Sequence, residues 1–227
     1  WQYQWLAQQD VPGLVEAMDG REQAGRRLDA FFAMDALQAD PLTAARKEWV
    51  VGPYSYYNQF RYNPNNEPDL HAPWLYTLIG QPWKTANVLR AAQQLFTNAP
   101  NGVTGNDDLG TMSAWYLFSA IGVYPAVPGS GQFLLHTPRF AKVEVDMGNG
   151  RTLRIDAPGA DGRRLQYVQG VQLDGRAHAP VWLDWDQLQQ GPRLQFALDA
   201  QAPTQGWGTA VKDLPVSWCA APGSVLR

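Results

Sequence analysis

The sequence predicts a mixed, α+β chain of more than one domain, with helices in its first half and short strands in its second. Three observations predict it. Apolar residues recur at helical spacing in successive segments up to about residue 124. The character changes at Pro125, and Pro128-Gly129-Ser130-Gly131 follows as a linker-like turn. Beyond it, from about 130 to 200, come short apolar runs, many of them alternating, separated by glycine turns, the mark of an antiparallel sandwich or sheet module. These breaks divide the chain into a helical unit at 1–127, a β-rich module at 128–208 and a tail at 209–227.

Taken in order, Trp1-Gln2-Tyr3-Gln4-Trp5 packs aromatic rings between amides. Asp10-Val11-Pro12-Gly13-Leu14 is a helix entry, with an acid at the cap and proline in the first turn; Leu14, Val15 and Met18 continue it as an apolar stripe. After Gly20, one helix is expected from Arg21 to Ala36, burying Leu28, Phe31 and Phe32. Residues 52–66 read as a long loop rich in tyrosine and asparagine, the kind that is usually functional in a compact domain. Leu70, Trp74, Leu75 and Leu78 restore the helical period until Gly80. Gln81-Pro82 opens the next helix, carrying Trp83, Val88, Leu89, Ala92, Leu95 and Phe96. A further helix runs from Met112 to Ala120 and closes at Gly122.

The expected strands are Phe133–Leu135, Lys142–Val145, Thr152–Ile155, Tyr167–Gln169, Val171–Leu173, Val181–Leu183 and Leu194–Leu198. Gly148-Asn149-Gly150 and Asp174-Gly175 are hairpin turns between them.

Composition narrows the partners. A hydrophobic content of 45% with 17% charged residues describes an ordinary globular protein. The formal net charge of −3 gives no basis for nucleic acid or an anionic membrane as partner. No apolar run is long enough to span a membrane. The single cysteine, Cys219, excludes an intramolecular disulfide and a cysteine zinc site. The 10 Trp and 9 Tyr suit either carbohydrate stacking or an aromatic core. The chain opens on Trp1 in mid-pattern without an initiator methionine, so the expectation is a fragment of a longer protein.

Three polar stretches fall at the loop side of the helical half: Trp1–Trp5, Asn63–His71 and Gly105–Gly110. In Gly105-Asn106-Asp107-Asp108-Leu109-Gly110, two adjacent carboxylates lie between glycines that free the backbone to turn, directly before a helix. Either acid serves as an N-cap or does chemistry. Asn65-Asn66-Glu67-Pro68-Asp69-Leu70-His71 gathers several oxygens and an imidazole within one turn. Hard cations such as calcium take such oxygens, whereas zinc wants more histidines than His71. Asn66 with Pro68 is equally a helix cap, His71 reads as a packed histidine, and Asp10 as a cap. Several carboxylates at the polar end of a helical unit suit glycoside hydrolysis, which needs an acid for the leaving oxygen and a base for water.

These residues also resemble a known family. Trp1-Gln2-Tyr3, Asp10-Val11-Pro12-Gly13-Leu14, Asn66-Glu67-Pro68, Gly80-Gln81-Pro82-Trp83-Lys84-Thr85, Gly105-Asn106-Asp107-Asp108, Met112-Ser113-Ala114-Trp115-Tyr116 and Tyr124-Pro125 resemble, in order, the glycoside hydrolase family 92 α-mannosidases. The likeness continues through the strands to about residue 208. It implies part of an (α/α)6 helical barrel with a sandwich-like β module, in a calcium-dependent, inverting exo-α-mannosidase that acts on mannose-containing glycans and is periplasmic or secreted. By motif, Asp108 is implied as the general base, with Asp107 as alternative or partner. Glu67 is implied in calcium or sugar binding, Asn66 supports it, Asp108 completes the metal set, and Trp1 lines the sugar site. The family's general acid lies in a Glu-Gly-Asn-Ala-like stretch before the Trp-Gln-Tyr motif, so it is expected upstream of Trp1. Some members carry an acid where Asn106 stands, and Thr111 replaces a common Gln. The rival readings are a non-catalytic carbohydrate-binding module and a helical scaffold with a β interaction domain.

Overall fold

The computed structural model describes residues 2–49, 61–148, 150–164, 166–217 and 219. The first helices start where the acid–proline pairs lie. The Asp10 carboxylate accepts from Gly13 N at 3.2 Å and caps α1 (Val11–Ala17). Asp40 likewise accepts from Thr43 N at 3.2 Å and caps α4 (Pro41–Glu48), with Pro41 in its first turn.

The helix expected over Arg21–Ala36 is two helices, α2 (Arg21–Phe32) and α3 (Met34–Ala39). Ala33 breaks them, in a left-handed conformation with φ of 53°. The reason lies in packing. At about 100° per residue, one straight helix would spread Leu28, Phe31, Phe32, Met34 and Leu37 over more than half its circumference. Reorienting the chain at Ala33 lets all five be buried.

Those residues join an aromatic core with Trp5, Trp49, Tyr62, Trp74, Tyr76 and Trp115. Phe32 and Tyr62 lie 4.8 Å apart, and Trp74 stacks on Tyr124 at 3.8 Å. The indole of Trp49 donates to Phe32 O at 2.9 Å, so its polar edge is satisfied inside. Two 3-10 turns and α5 (Leu75–Leu78) lead to Gly80, whose φ of 78° ends the run. After it comes α6 (Pro82–Ala92). Lys84 on α6 reaches back to both carboxylate oxygens of Asp29 on α2 at 2.8 Å, and Tyr76 Oη donates to the same group. Helix α7 (Thr111–Ile121) closes at Gly122. There φ is 98°, and a Cβ would stand 2.8 Å from Pro138 Cγ.

Among the described residues eight strands follow: β1 (Val123–Tyr124), β2 (Gln132–Leu135), β3 (Lys142–Asp146), β4 (Thr152–Asp156), β5 (Tyr167–Leu173), β6 (Arg176–His178), β7 (Trp182–Asp184) and β8 (Arg193–Asp199). They form a three-stranded sheet, β1-β2-β7, and a five-stranded sheet, β3-β4-β8-β5-β6. The two strands expected at Tyr167–Gln169 and Val171–Leu173 are one, with a register shift between Val168 and Gly170. The pairing is not wholly antiparallel, because β4 runs parallel to β8. β1, β6 and the short α8 (Trp185–Leu188), opened by an Asp184–Gln187 capping box, go beyond the expected elements.

Successive residues of a strand face opposite ways, and this sets the layers. On β2, Leu134 belongs to the aromatic core, while Leu135 belongs to a second core with Leu153, Ile155, Val171, Leu194 and Phe196. Trp182 on β7 packs against both. The three-stranded sheet is therefore the middle layer, helices on one face and the five-stranded sheet on the other. The segment expected as a tail docks across these layers. Leu214 is buried, Asp213 O accepts from Val181 N at 2.9 Å, and Ser217 Oγ donates to Asp10 Oδ1 at 3.0 Å.

Candidate active site

Residues 61–71 are tied to the helical core at both ends. Tyr62 N donates to Phe31 O at 3.3 Å, and the Trp115 indole of α7 donates to Leu70 O at 3.0 Å. Between these anchors the loop organises itself around Asp69. Its Oδ2 accepts from Asn63 N at 2.9 Å, and Asn63 Oδ1 in turn accepts from Asn65 N at 3.0 Å. Asp69 is fully buried, so removal from water raises its pKa to about 7, against the pull of the Asn63 N–H. Its Oδ1 finds no partner among the described residues. The phenol of Tyr62, buried as well, is pushed well up by desolvation and then by the nearby Asp69 and Tyr124.

His71 is the packed histidine that was expected. Its Nε2 donates to Trp5 O at 2.7 Å, and burial pushes its pKa down, which keeps the ring neutral. That bond also fixes the Gln2–Trp5 turn against the Glu67–Asp69 turn. Gln2 adds a second tie, its side-chain amide donating to Arg61 O at 3.1 Å. Trp1 lies outside the described residues.

The second loop is built differently. Asp108, Leu109 and Gly110 have φ of 40°, 61° and 89°, three successive left-handed residues that coil the chain into α7. For Asp108 and Leu109 this backbone carries strain, of a kind found at functional sites. Leu109 is fully exposed, with no packing to offset it. Asp107 caps the helix: its Oδ1 accepts from Ser113 N at 2.9 Å, and its carbonyl accepts from Met112 N. Asp108 holds the turn through its carbonyl oxygen, which accepts from Thr111 Oγ1 at 2.7 Å. Its exposed carboxylate makes no hydrogen bond among the described residues.

The two loops touch. A Cβ on Gly105 would lie 2.6 Å from Asn65 O and 2.9 Å from Asn65 Cβ, so only glycine allows this approach. Thr104 Oγ1 donates to Asn65 Oδ1 across the same contact. The structure thus brings the Gln2–Trp5, Asn63–His71 and Gly105–Gly110 stretches to one end of the helical core. Sequence reasoning named Asn66, Glu67, Asp107 and Asp108. It passed over Asp69, although that acid lies inside the motif, and over Asn65 and Thr104, which join the loops.

Calcium is tested by the donors present. Glu67 Oε1 is buried with no partner among the described residues. Asn66 occupies the cap position of the Glu67–Asp69 turn, yet its side chain makes no capping hydrogen bond. Among the described residues no three of the His, Cys, Asp and Glu side chains cluster as a metal cage. A hard cation here would take oxygens from few protein groups, Glu67, Asn66 and Asp108, and fill its remaining positions with water or ligand hydroxyls.

Among the described residues, most of the tryptophans are core. Trp5, Trp49, Trp74, Trp115 and Trp207 are buried, which leaves Tyr3 as the exposed aromatic of the Gln2–Trp5 turn. Among the described residues, no helix is long and apolar enough to cross a membrane.

Known proteins agree with this architecture. Among solved structures, the family GH92 α-mannosidase BT3965 of Bacteroides thetaiotaomicron is 28% identical and superposes with a TM-score of 0.80, over 100% of this chain and 28% of its own. Its complex with mannoimidazole superposes with a TM-score of 0.78, at 28% identity over 95% of this chain and 27% of its own. The family GH92 inverting mannosidase BT2199 of the same species is 30% identical with a TM-score of 0.78, over 97% of this chain and 30% of its own. An uncharacterized secreted glycosidase of Arthroderma benhamiae is 25% identical over 222 residues, which are 96% of this chain and 25% of that protein. The chain therefore spans between a quarter and a third of the length of these relatives. Residues 1–200 match the model of the glycosyl hydrolase family 92 catalytic domain, and the chain belongs to that family.

Proposed function

We propose that the chain forms the C-terminal part of a calcium-dependent, inverting exo-α-mannosidase that removes terminal α-mannosides from glycans, N-glycans included. The observation that supports this reading is the docking of Gly105 on Asn65, which joins the loop of Glu67 to the loop of Asp107 and Asp108 in a chain that belongs to the family. In this reading residues 1–127 belong to an (α/α)6 catalytic barrel, residues 128–208 are its β-rich module, and residues 209–227 follow as the chain's tail. The chain is secreted or exported to the periplasm in this reading, and the secreted relative supports secretion.

The division of labour follows from the two carboxylates. Asp107 is held by the Ser113 N–H and serves as the support. Asp108 is exposed, with its carboxylate unengaged among the described residues, and acts as the general base that takes a proton from water. An inverting reaction needs a second carboxyl group about 6.5–9.5 Å away to protonate the leaving oxygen. We assign that group to a glutamate upstream of Trp1. Glu67 and Asn66, with Asp108, would hold calcium, and Trp1 would line the sugar site. Bound calcium supplies a grip on the mannose 2- and 3-hydroxyls that favours ring distortion toward the oxocarbenium-like transition state.

The test is an anomer-resolved NMR assay of the full-length protein on a terminal α-mannoside. β-Mannose appears first, a calcium chelator lowers the rate, and Asp108→Asn reduces kcat by roughly 10²–10⁴-fold. Release of α-mannose, or an Asp108→Asn variant with the wild-type rate, overturns the assignment. Residues 1–227 alone are expected to show no turnover, since a base without an acid leaves the glycosidic oxygen unprotonated.

A further inference from the structure

Away from these loops, a cleft of about 350 Å³, counted to its open mouth, lies where α6 meets the β-rich half. Its walls carry Arg90 on α6, Arg139 after β2, and Asp161 and Arg164 from the β4–β5 connection. Three arginines against one aspartate leave a formal charge of +2 on the lining.

The hydrogen bonds show what the cleft lacks. Asp161 is occupied on both oxygens: Oδ1 accepts from Arg163 N at 2.8 Å, and Oδ2 faces Arg164 Nε at 3.4 Å. Gln166 Oε1 accepts from Asp161 N at 2.8 Å. Gln93 Oε1 accepts from Arg139 Nη1 at 3.2 Å. The acceptors in the wall are therefore taken, and the groups left over are donors. Arg90 Nη1 is buried and has no partner among the described residues. Arg139 crosses Gly162, where a Cβ would come within 2.7 Å of its Nε, so the guanidinium is steered along the wall.

Burial lowers the Arg90 pKa, and the like charge of Arg139 lowers it further, with Asp161 pulling the other way. Two guanidiniums that repel each other, one with an N–H group that lacks an acceptor among the described residues, are stabilised by an anion placed between them. Charge-assisted bonds from guanidinium to an oxyanion are among the stronger polar contacts. We propose that this cleft, between α6 and the β4–β5 connection, is a binding site for a small oxyanion held by Arg90 and Arg139, with Arg164 at its rim. The formal charge and the unpartnered Arg90 N–H suit phosphate, sulfate or a carboxylate. The proposal stands independently of the glycosidase reading, since it uses none of the residues named there.

The experiment titrates the full-length protein with sodium phosphate, sodium sulfate and sodium acetate at constant ionic strength against chloride. Calorimetry and thermal unfolding are read together. Saturable binding with a rise in Tm is expected, and Arg90→Gln and Arg139→Gln each weaken it by about tenfold or more. If Arg90→Gln does not fold, Arg139→Gln decides, because among the described residues its side chain hydrogen-bonds to Gln93 alone. Phosphate and sulfate binding better than acetate identifies a tetrahedral anion, free or as an ester. Acetate binding as well or better identifies a carboxylate, as on an acidic side chain or sugar acid. A response no greater than that to chloride, or one undiminished in Arg139→Gln, overturns the site.

Discussion

The Asn63–His71 loop and the Gly105–Gly110 loop meet at one glycine, yet opposite means hold them. The first is buried and internally bonded, with Asp69, Asn63 and Asn65 in a chain and Trp115 pinning its far end. The second is exposed and bent by strained backbone, with a single carboxylate fastened to a helix start. A buried loop with orphaned oxygens is suited to hold a ligand in a fixed place. Under the proposed function, the exposed one, with its unengaged carboxylate, takes a proton from water. The difference teaches that adjacency in space does not imply equivalent roles, even between Asp107 and Asp108.

That contrast breaks first on activity. Asp108→Asn in the full-length protein is expected to lower kcat by roughly 10²–10⁴-fold while leaving Tm unchanged. Asp107→Ala should do the reverse in emphasis, weakening the cap by about 1 kcal/mol with a smaller loss of rate. Equal rate losses in the two variants, by steady-state kinetics, would show that the pair acts as one unit.

The next largest effect lies in pH. In an unfolded chain Asp titrates near about 3.9 and His near about 6.5. Folding raises Asp69 to about 7, so its contribution is full below pH ~3.9 and is lost as pH rises toward 7. His136 is opposite. It is buried between the Trp74 indole N–H, which donates to Nδ1, and Ser119 O, and burial depresses it to about 4. Its contribution is present above pH ~6.5 and lost as pH falls through 4. Each slope is at most about 1.4 kcal/mol per pH unit, and between about 4 and 6.5 they oppose each other. His71, also lowered, adds to the His136 side. Urea unfolding across this range should therefore show a stability that Asp69→Asn tilts upward with pH and His136→Gln tilts downward. An Asp69→Asn profile parallel to wild type would mean that the carboxyl is already ionised in the fold.

Steric fit at the junction comes third. Gly105→Ala combines a φ of 68° with a Cβ 2.6 Å from Asn65 O, and should cost about 2 kcal/mol in the docking of the two loops. Gly110→Ala, with φ of 89° and open space around it, isolates the backbone part at about 1 kcal/mol. Hydrogen exchange of the Thr104–Gly110 amides separates them: faster exchange in Gly105→Ala than in Gly110→Ala is expected, and equal exchange would deny the contact its role.

What the sequence made legible was chemistry acting over a few residues. Asp10 before Pro12, Gly122 after α7, and Asp174-Gly175 at a hairpin each act on their own neighbours, and each is where it was expected. The break at Ala33 carries no glycine or proline and exists because five apolar side chains must face one core. The parallel pairing of β4 with β8 joins strands some forty residues apart, beyond any local pattern. Asp69 shows the same limit at the site. Its residue type was in view within the Asn-Glu-Pro motif, but its burial is made by residues distant in sequence. The Asp107 cap was half legible: an acid before a helix was clear, but that it would reach past three left-handed or turn residues to Ser113 was not.

The last prediction probes a side-chain bond between the loops. Thr104→Val keeps the shape of the side chain and removes the hydroxyl that donates to Asn65 Oδ1. The expected cost is about 1 kcal/mol, because Thr104 is half-buried and water can replace part of the bond. Asn65 keeps its N–H bond to Asn63, so the buried loop holds its shape while the exposed loop loosens against it. Thr104→Ser restores the donor and should restore protection of the Gly105–Gly110 amides. If valine and serine variants exchange alike, the glycine contact alone sets the register, and the division between a holding loop and a presenting loop rests on backbone packing.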